Sequence, residues 1–257
     1  MRYKEIVFSV ILGCFLSTAA HAQIIEIGAN AGAAGYIGDL NPKDLFKPSG
    51  VAFGVFVKDN LDPYWAIGIH YNYGHVEAND ANSDDASLRA RNLNFSTSLN
   101  ELSVQVDFNF LEYFAGGGTK KFTPYMFAGV GGVLFNPKAR YDGVEYELRY
   151  YQTEGKKYKN YAVSIPYGVG MKYRIGERLA VFTQLGYRTA KTDYLDDVGD
   201  KYPLVSALGK NGFNLSDPSG QNFPPGSQRG NYVKNDTYFF VHVGLSYTFT
   251  SDKCYKF

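Results

Sequence analysis

The stretch "TDYLDDVGDKYP" (192–203) crowds Asp193, Asp196, Asp197 and Asp200 into twelve positions. Carboxylates at that density could coordinate calcium. Their spacing does not follow the alternating ligand positions of an EF-hand loop. Asp in a turn more often accepts bonds from nearby backbone N–H groups, so a loop-ordering role is expected, with no metal. Histidine offers little more. Outside the first 22 residues there are only His70, His75 and His242, too few for a tetrahedral site. Gly116, Gly117 and Gly118 lack the preceding strand and following helix of a phosphate loop. No local serine–histidine signature marks a nucleophile and its base. The residue types therefore point away from an enzyme and imply no cofactor.

The elements that carry these residues are strands. "ELSVQVDFNFL" (101–111) alternates at every step, with Leu102, Val104, Val106, Phe108 and Phe110 on one face and Ser103, Gln105, Asp107 and Asn109 on the other. A period of two is a strand with one greasy and one wet face. Eight such stretches recur, at about 24–35, 50–58, 64–75, 97–111, 122–135, 161–174, 178–192 and 236–250. Most are as long as the roughly nine to eleven residues that a strand needs to cross a membrane.

The N-terminus sets the compartment. Arg2 and Lys4 precede a short apolar run, and "AHA" ends at Ala22. This is the pattern of a secretory signal peptide (1–22) cleaved between Ala22 and Gln23. Ile11 to Cys14 resembles a lipoprotein box, but the apolar run continues past the cysteine. From 26 Lys and Arg and 25 Asp and Glu, the leader removes Arg2, Lys4 and Glu5 and leaves 24 of each. That balance gives no nucleic-acid footprint. Cys254 is then the only cysteine, so no internal disulfide staples the fold. No later segment approaches the roughly 20 apolar residues of a spanning helix.

Parity gives the direction of the greasy face. Trp65, Ile67, Ile69 and Tyr71 share one face, and so do Val163, Ile165, Tyr167, Val169, Met171 and Tyr173. These faces end in Tyr or Trp, as residues at membrane interfaces do. The opposite faces are polar and rich in glycine, as a narrow lumen requires. Residues 23–257 are therefore expected to form one domain, an all-β, antiparallel up-and-down transmembrane barrel of eight strands. Strand five is ambiguous: Tyr125, Phe127 and Phe135 compete with Met126, Val130 and Leu134. Glu26, Glu101, Asp107, Lys172 and Arg188 fall on the predicted inner face and are expected to plug the lumen as an ion-pair network.

The connections alternate between short and long, the habit of outer-membrane barrels with short periplasmic turns and long extracellular loops. The chain is thus expected to be a multi-pass protein of the bacterial outer membrane, in contact with its lipid. The short turns carry Asn60, Asp62, Lys120, Lys121, Glu177 and Arg178, a candidate partner-facing surface together with the tail Ser251 to Phe257.

Several strings taken together resemble the PorG-like family, small outer-membrane β-barrels of Bacteroidota associated with the type IX secretion system. They are "GYIGDLNP" (35–42), "FTPYMFAGVGGVLFNPKA" (122–139), "TEG" (153–155), "IPYGVGMKY" (165–173), "TDYLDDVGDKY" (192–202), "LSDPS" (215–219), "RGN" (229–231) and "KCYKF" (253–257). The most specific are the second and the fifth, the latter holding Asp193, Tyr194, Asp196 and Asp197. The resemblance implies a structural part in protein transport. The partners would be the periplasmic ring of a PorK-like lipoprotein and a PorN-like protein. It brings no catalytic residues. The alternative is a stand-alone barrel, a passive pore or membrane-stabilising protein.

Overall fold

The computed structural model describes residues 24–249 apart from 232. The cleavage site at Ala22 and Gln23, Cys254 and the tail Ser251 to Phe257 lie outside them. The strands are β1 (Ile24–Ile37), β2 (Pro48–Asn60), β3 (Trp65–Asn79), β4 (Asn94–Asn109), β5 (Phe122–Leu134), the short β6 (Lys138–Tyr141) and β7 (Val144–Glu147), β8 (Tyr161–Arg174), β9 (Leu179–Ala190) and β10 (Thr237–Phe249). The eight long ones close on themselves, and every neighbour is antiparallel. The ladder runs β3-β2-β1-β10-β9-β8-β5-β4, and β3 pairs with β4 to shut the cylinder. Closure matters because lipid offers no partner to an unpaired backbone group. The 14 residues of β8, at about 3.3 Å each and a tilt of about 40°, rise about 35 Å, enough for the apolar core of a bilayer.

The alternation places the apolar face outward. Val51, Phe53, Val55 and Val57 of β2, Ile67 and Ile69 of β3, and Val163, Val169 and Met171 of β8 are exposed on the wall. In β5 the ambiguity resolves by the same rule: Met126, Val130 and Leu134 point outward, while Tyr125, Phe127 and Val133 are buried inside. Among the described residues no helix is long and apolar enough to cross a membrane.

The lumen departs from the expected polar and glycine-lined tube. Phe56, Tyr125, Phe127, Phe182, Tyr238 and Phe240 also fill it. The inner glycines make room for these rings. A Cβ on Gly28 would collide with the Phe56 ring, and one on Gly74 with the Phe240 ring. Packed rings and missing side chains are two halves of one close-packed interior.

The long connections carry secondary structure of their own. Residues 80–93 contain α1 (Ala86–Arg91), capped by Asp85, which accepts from the Ser87 N–H. Residues 135–160 contain the β6–β7 hairpin, which joins the sheet through Ser96 opposite Lys138, then the short helix α2 (Leu148–Tyr151). Ala139, Tyr146, Leu148, Ala207 and Leu215 form a separate apolar core for these loops.

Candidate functional site

Three layers of side chains obstruct the barrel from the short-turn end upward. The lowest is a folded turn. The chain after β4 doubles back so that Tyr113, Phe114 and Ala115 are buried against Ala180. Tyr113 N–H donates to Pro63 O at 3.2 Å. A Cβ on Gly116 would strike Asp62 O, so this floor needs glycine there.

Above it, Lys58 and Lys172 both reach Asp107 Oδ2, at 2.9 and 2.8 Å. Lys172 also donates to Asn109 Oδ1 at 3.1 Å, and Asn60 donates to Glu26 at 3.3 Å. Each ammonium lies 4.2 Å from a ring centroid, Phe56 for Lys58 and Tyr125 for Lys172. Rings of this kind partly replace the water a buried cation loses.

Higher still, Glu101 gathers five groups, among them Ser103, which donates to Oε1 at 3.4 Å. Arg188 Nε is 3.5 Å from Oε1, and Asn72 donates to the same oxygen at 3.3 Å. Ser164 and Tyr238 donate to Oε2 at 2.8 and 2.5 Å. The Arg188 guanidinium lies 4.5 Å from the Phe240 ring centroid. His70 stacks on Phe56 and His242 tilts over Phe240, each packed among rings.

The five lumen residues expected from parity thus fall into two layers, with Glu26, Asp107 and Lys172 in one and Glu101 and Arg188 in the other. Lys58 is a sixth that the parity argument did not single out, although in "GVAFGVFVK" it shares the inward face with Ala52, Gly54 and Phe56. The partner-facing set needs correction. Asn60 is buried in the lumen, because β2 still alternates at its last residue and even positions point in. Arg178 is half-buried and donates to Tyr247 OH at 3.3 Å. Asp62, Lys120, Lys121 and Glu177 are exposed at that end.

At the other end the long loops form a cap. Arg91, from α1, makes a two-pronged pair with Asp80, at 2.7 and 2.9 Å. It also donates to Arg229 O at 2.7 Å and Asp39 O at 3.0 Å. Arg229 donates to Glu154 at 3.2 Å, Asp197 O at 2.9 Å and Ser216 O at 3.2 Å. Ser216 donates to Thr153 O at 2.7 Å, and Thr153 and Tyr158 both donate to Asp197. Tyr36 donates to Asp196 and Asp236, and the Asn231 N–H to Asp39. The strings "GYIGDLNP", "TEG", "TDYLDDVGDKY", "LSDPS" and "RGN", scattered over the chain, meet in this one cluster. Arg91 and Asp80 carried no signal in the sequence.

Asp39, Asp193 and Asp236 each bring one carboxylate oxygen within 4.8 Å of the others, a spacing a cation could use. Asp196 and Asp197 are turned elsewhere, toward Tyr36 and toward Thr153 and Tyr158. Asp196 Oδ1 also accepts from the Val198 N–H at 2.9 Å, a local turn bond. Burial raises these acids. Asp39 is pushed up to about 6 against the pull of the Asn231 N–H and Arg91, and Asp197 to about 6 against Arg229. Asp193 is pushed up to about 7 by burial and then by Asp39, Glu154 and Asp200.

The sign follows from linkage. The folded cap holds protons that unfolded loops release near pH 4, so this contribution is complete in acid and disappears as pH rises through about 6 to 7. The expected outcome is more cleavage of residues 191–236 by a broad-specificity protease at about pH 8 than at about pH 5.5, once protease activity is matched on an unfolded substrate. Equal protection at both pH values would remove these acids from the account of cap stability.

A cleft of about 820 Å³ opens beside the cap, between the β1–β2 loop and the tops of β3 and β4. Its lining mixes Lys43, Lys47 and Arg140 with Asp44, Glu77 and Glu145, a surface of both charge signs.

Solved structures resemble the chain at low identity. The N-terminal β-barrel domain of Pseudomonas aeruginosa OprF is 12% identical with a TM-score of 0.42, the match covering 88% of this chain and 97% of that one. The outer membrane protein OprG of Pseudomonas aeruginosa is 13% identical with a TM-score of 0.42, covering 90% and 97%. A major outer membrane protein of Thermus thermophilus is 13% identical with a TM-score of 0.42, covering 89% and 100%. No curated protein matches the sequence. The model of a domain of unknown function, DUF6089, matches residues 5–257, and the chain belongs to that family.

Proposed function

We propose that this protein is a non-catalytic outer-membrane barrel that serves as an anchor for protein-secretion machinery. The observation that carries the reading is the threefold obstruction of the axis beneath a knitted cap. A barrel filled by Tyr113, by Lys58–Asp107–Lys172 and by Glu101–Arg188 is built as a post rather than a conduit. A post has two uses: it holds a surface at each face of the membrane, and it resists load. The resemblance to PorG-like proteins supplies the finer reading. In it, the short-turn end faces the periplasm and meets a ring of PorK-like and PorN-like partners of the type IX system. Asp62, Lys120, Lys121 and Glu177 are the charges available for that contact.

Deleting the gene is expected to abolish export of type IX cargo, measured in culture supernatant and restored by complementation. Intact export in the deletion strain would leave the stand-alone barrel as the better reading. Planar-bilayer recording separates the pore version of that alternative, since the obstructed lumen predicts no steady ohmic current.

A further inference from the structure

The loop between β1 and β2 is held to the cap at Asp39 and, through Lys43 and Asp85 at 3.5 Å, to the 80–93 segment, but it does not end there. Its tip lies against the outer wall of the barrel. Tyr187 OH donates to Leu45 O at 3.2 Å, and the Phe46 ring centroid is 6.0 Å from that of Tyr187. A Cβ on Gly35 would collide with both the Phe239 ring and Lys47 O, which places Lys47 beside Phe239.

Tyr187 and Phe239 both belong to the outward face by parity, with Leu179 and Leu185 on β9 and with Val241, Val243, Leu245 and Phe249 on β10. Those β10 neighbours are exposed on the wall, yet Phe239 is only 1% exposed. From Phe249 to Phe239 the wall rises about 25 Å at about 3.3 Å per residue and a tilt of about 40°, the full height of an apolar belt. The loop therefore covers a belt residue at the belt's upper rim. What it presents in exchange is apolar: Leu45 is 54% exposed and Phe46 64%. Lys47 follows directly, an exposed side chain whose ammonium lies 3.6 Å from Asp44, so a charged pair borders the apolar tip as headgroups border acyl chains.

We propose that Leu45 and Phe46 insert at the boundary between acyl chains and headgroups in the leaflet around the long-loop end, making this loop a lipid-dipping anchor. The same loop begins at Asp39, whose carbonyl and carboxylate are held by Arg91 and the Asn231 N–H in the cap. Lipid contact at Phe46 thus fixes the cap's orientation to the membrane plane. The occupant is lipid because the patch is continuous with the lipid-facing wall. The inference rests on the reading of the barrel as membrane-embedded.

The test uses the full chain with Trp65→Phe, which removes the native tryptophan. Into it go single substitutions Phe46→Trp, Val243→Trp in the belt and Leu204→Trp at the cap, where Leu204 is 88% exposed. Each is reconstituted in phosphatidylcholine vesicles with and without brominated acyl chains. Phe46→Trp is expected to lose at least half its emission in brominated lipid, as Val243→Trp does, and to resist aqueous acrylamide. Leu204→Trp is expected to do the opposite. A tryptophan at 46 that behaves like the one at 204 while the one at 243 is quenched overturns the anchor alone. Loss of quenching at 243 as well overturns the membrane-embedded barrel along with it.

Discussion

Asp107→Asn is expected to cost the barrel about 3–5 kcal/mol, the loss that follows when a buried pair is broken from one side. Lys58 and Lys172 both point at Asp107 Oδ2. Neutralising that carboxylate leaves two ammonium groups facing each other with no counter-charge at the shared point. Neither can escape to water, because the Tyr113 floor lies beneath and the Glu101–Arg188 layer above. The measurement is equilibrium urea unfolding in micelles followed by Trp65, the only tryptophan, which pairs across the ladder with Phe108, next to Asp107. A midpoint unchanged from the parent would sink the idea that this triad holds the lumen together. Removing the layer's four charges together, as Glu26→Gln, Lys58→Met, Asp107→Leu and Lys172→Met, is expected to recover most of the loss, since an apolar replacement of a buried ion group is often neutral or better, and Glu26 would otherwise be left without a cation. The surface pair Lys138–Glu145, at 2.8 Å and partly exposed on both sides, provides the contrast: Lys138→Ala should cost no more than about 1 kcal/mol.

That contrast also marks what a sequence of this kind displays. Strand parity is local, so Glu101, Asp107, Lys172 and Arg188 could be placed on the inner face from their immediate neighbours. Lys58 was open to the same argument. Phe182 and Phe240 were harder, because a ring at an inward position of a narrow barrel looks like an error of register. It makes sense only once Gly244 and Gly74 are seen to vacate the space opposite. Phe239 reads as lipid-facing by period and is buried, because a loop from the other side of β1 lies over it. The Asp-rich turn at 192–203 is legible locally, as the Val198 N–H on Asp196 shows, but the assembly of the cap has no local signal. Arg91 meets Arg229 across 138 positions, and the Asn231 N–H meets Asp39 across 192. No periodicity spans such distances. The motif strings flagged the pieces of the cap through resemblance, but nothing in their spacing announced that they assemble. Arg91, held by no such string, joins only because α1 ends there and turns its guanidinium inward.

Arg229→Ala is expected to open the cap and leave the barrel intact. The guanidinium makes three contacts that no other side chain supplies together: Glu154, Asp197 O and Ser216 O. Losing it strands Glu154 as a buried, unpaired carboxylate and frees residues 191–236 from the loop that carries Thr153. Breaking a buried pair of this kind costs about 3–5 kcal/mol, but the loss falls on the cap. The strand ladder does not pass through Arg229, so the urea midpoint read at Trp65, at the opposite end, should move little. Proteinase K should instead cut within 191–236 several-fold faster in the variant than in the parent at the same pH, with the fragments identified by mass spectrometry. Arg229→Lys should not rescue protection. An ammonium is a point charge and cannot hold a carboxylate on one side and two carbonyls on the other in the fixed plane of a guanidinium. Full protection in the alanine variant would mean that the cap stands on its apolar cores and on Arg91 alone. A fall in the Trp65 midpoint as large as that of Asp107→Asn would mean that cap and barrel unfold as one unit. The separation matters for the proposed role, since a post whose cap can loosen without losing its wall can present a changing surface outside while its short-turn end stays fixed.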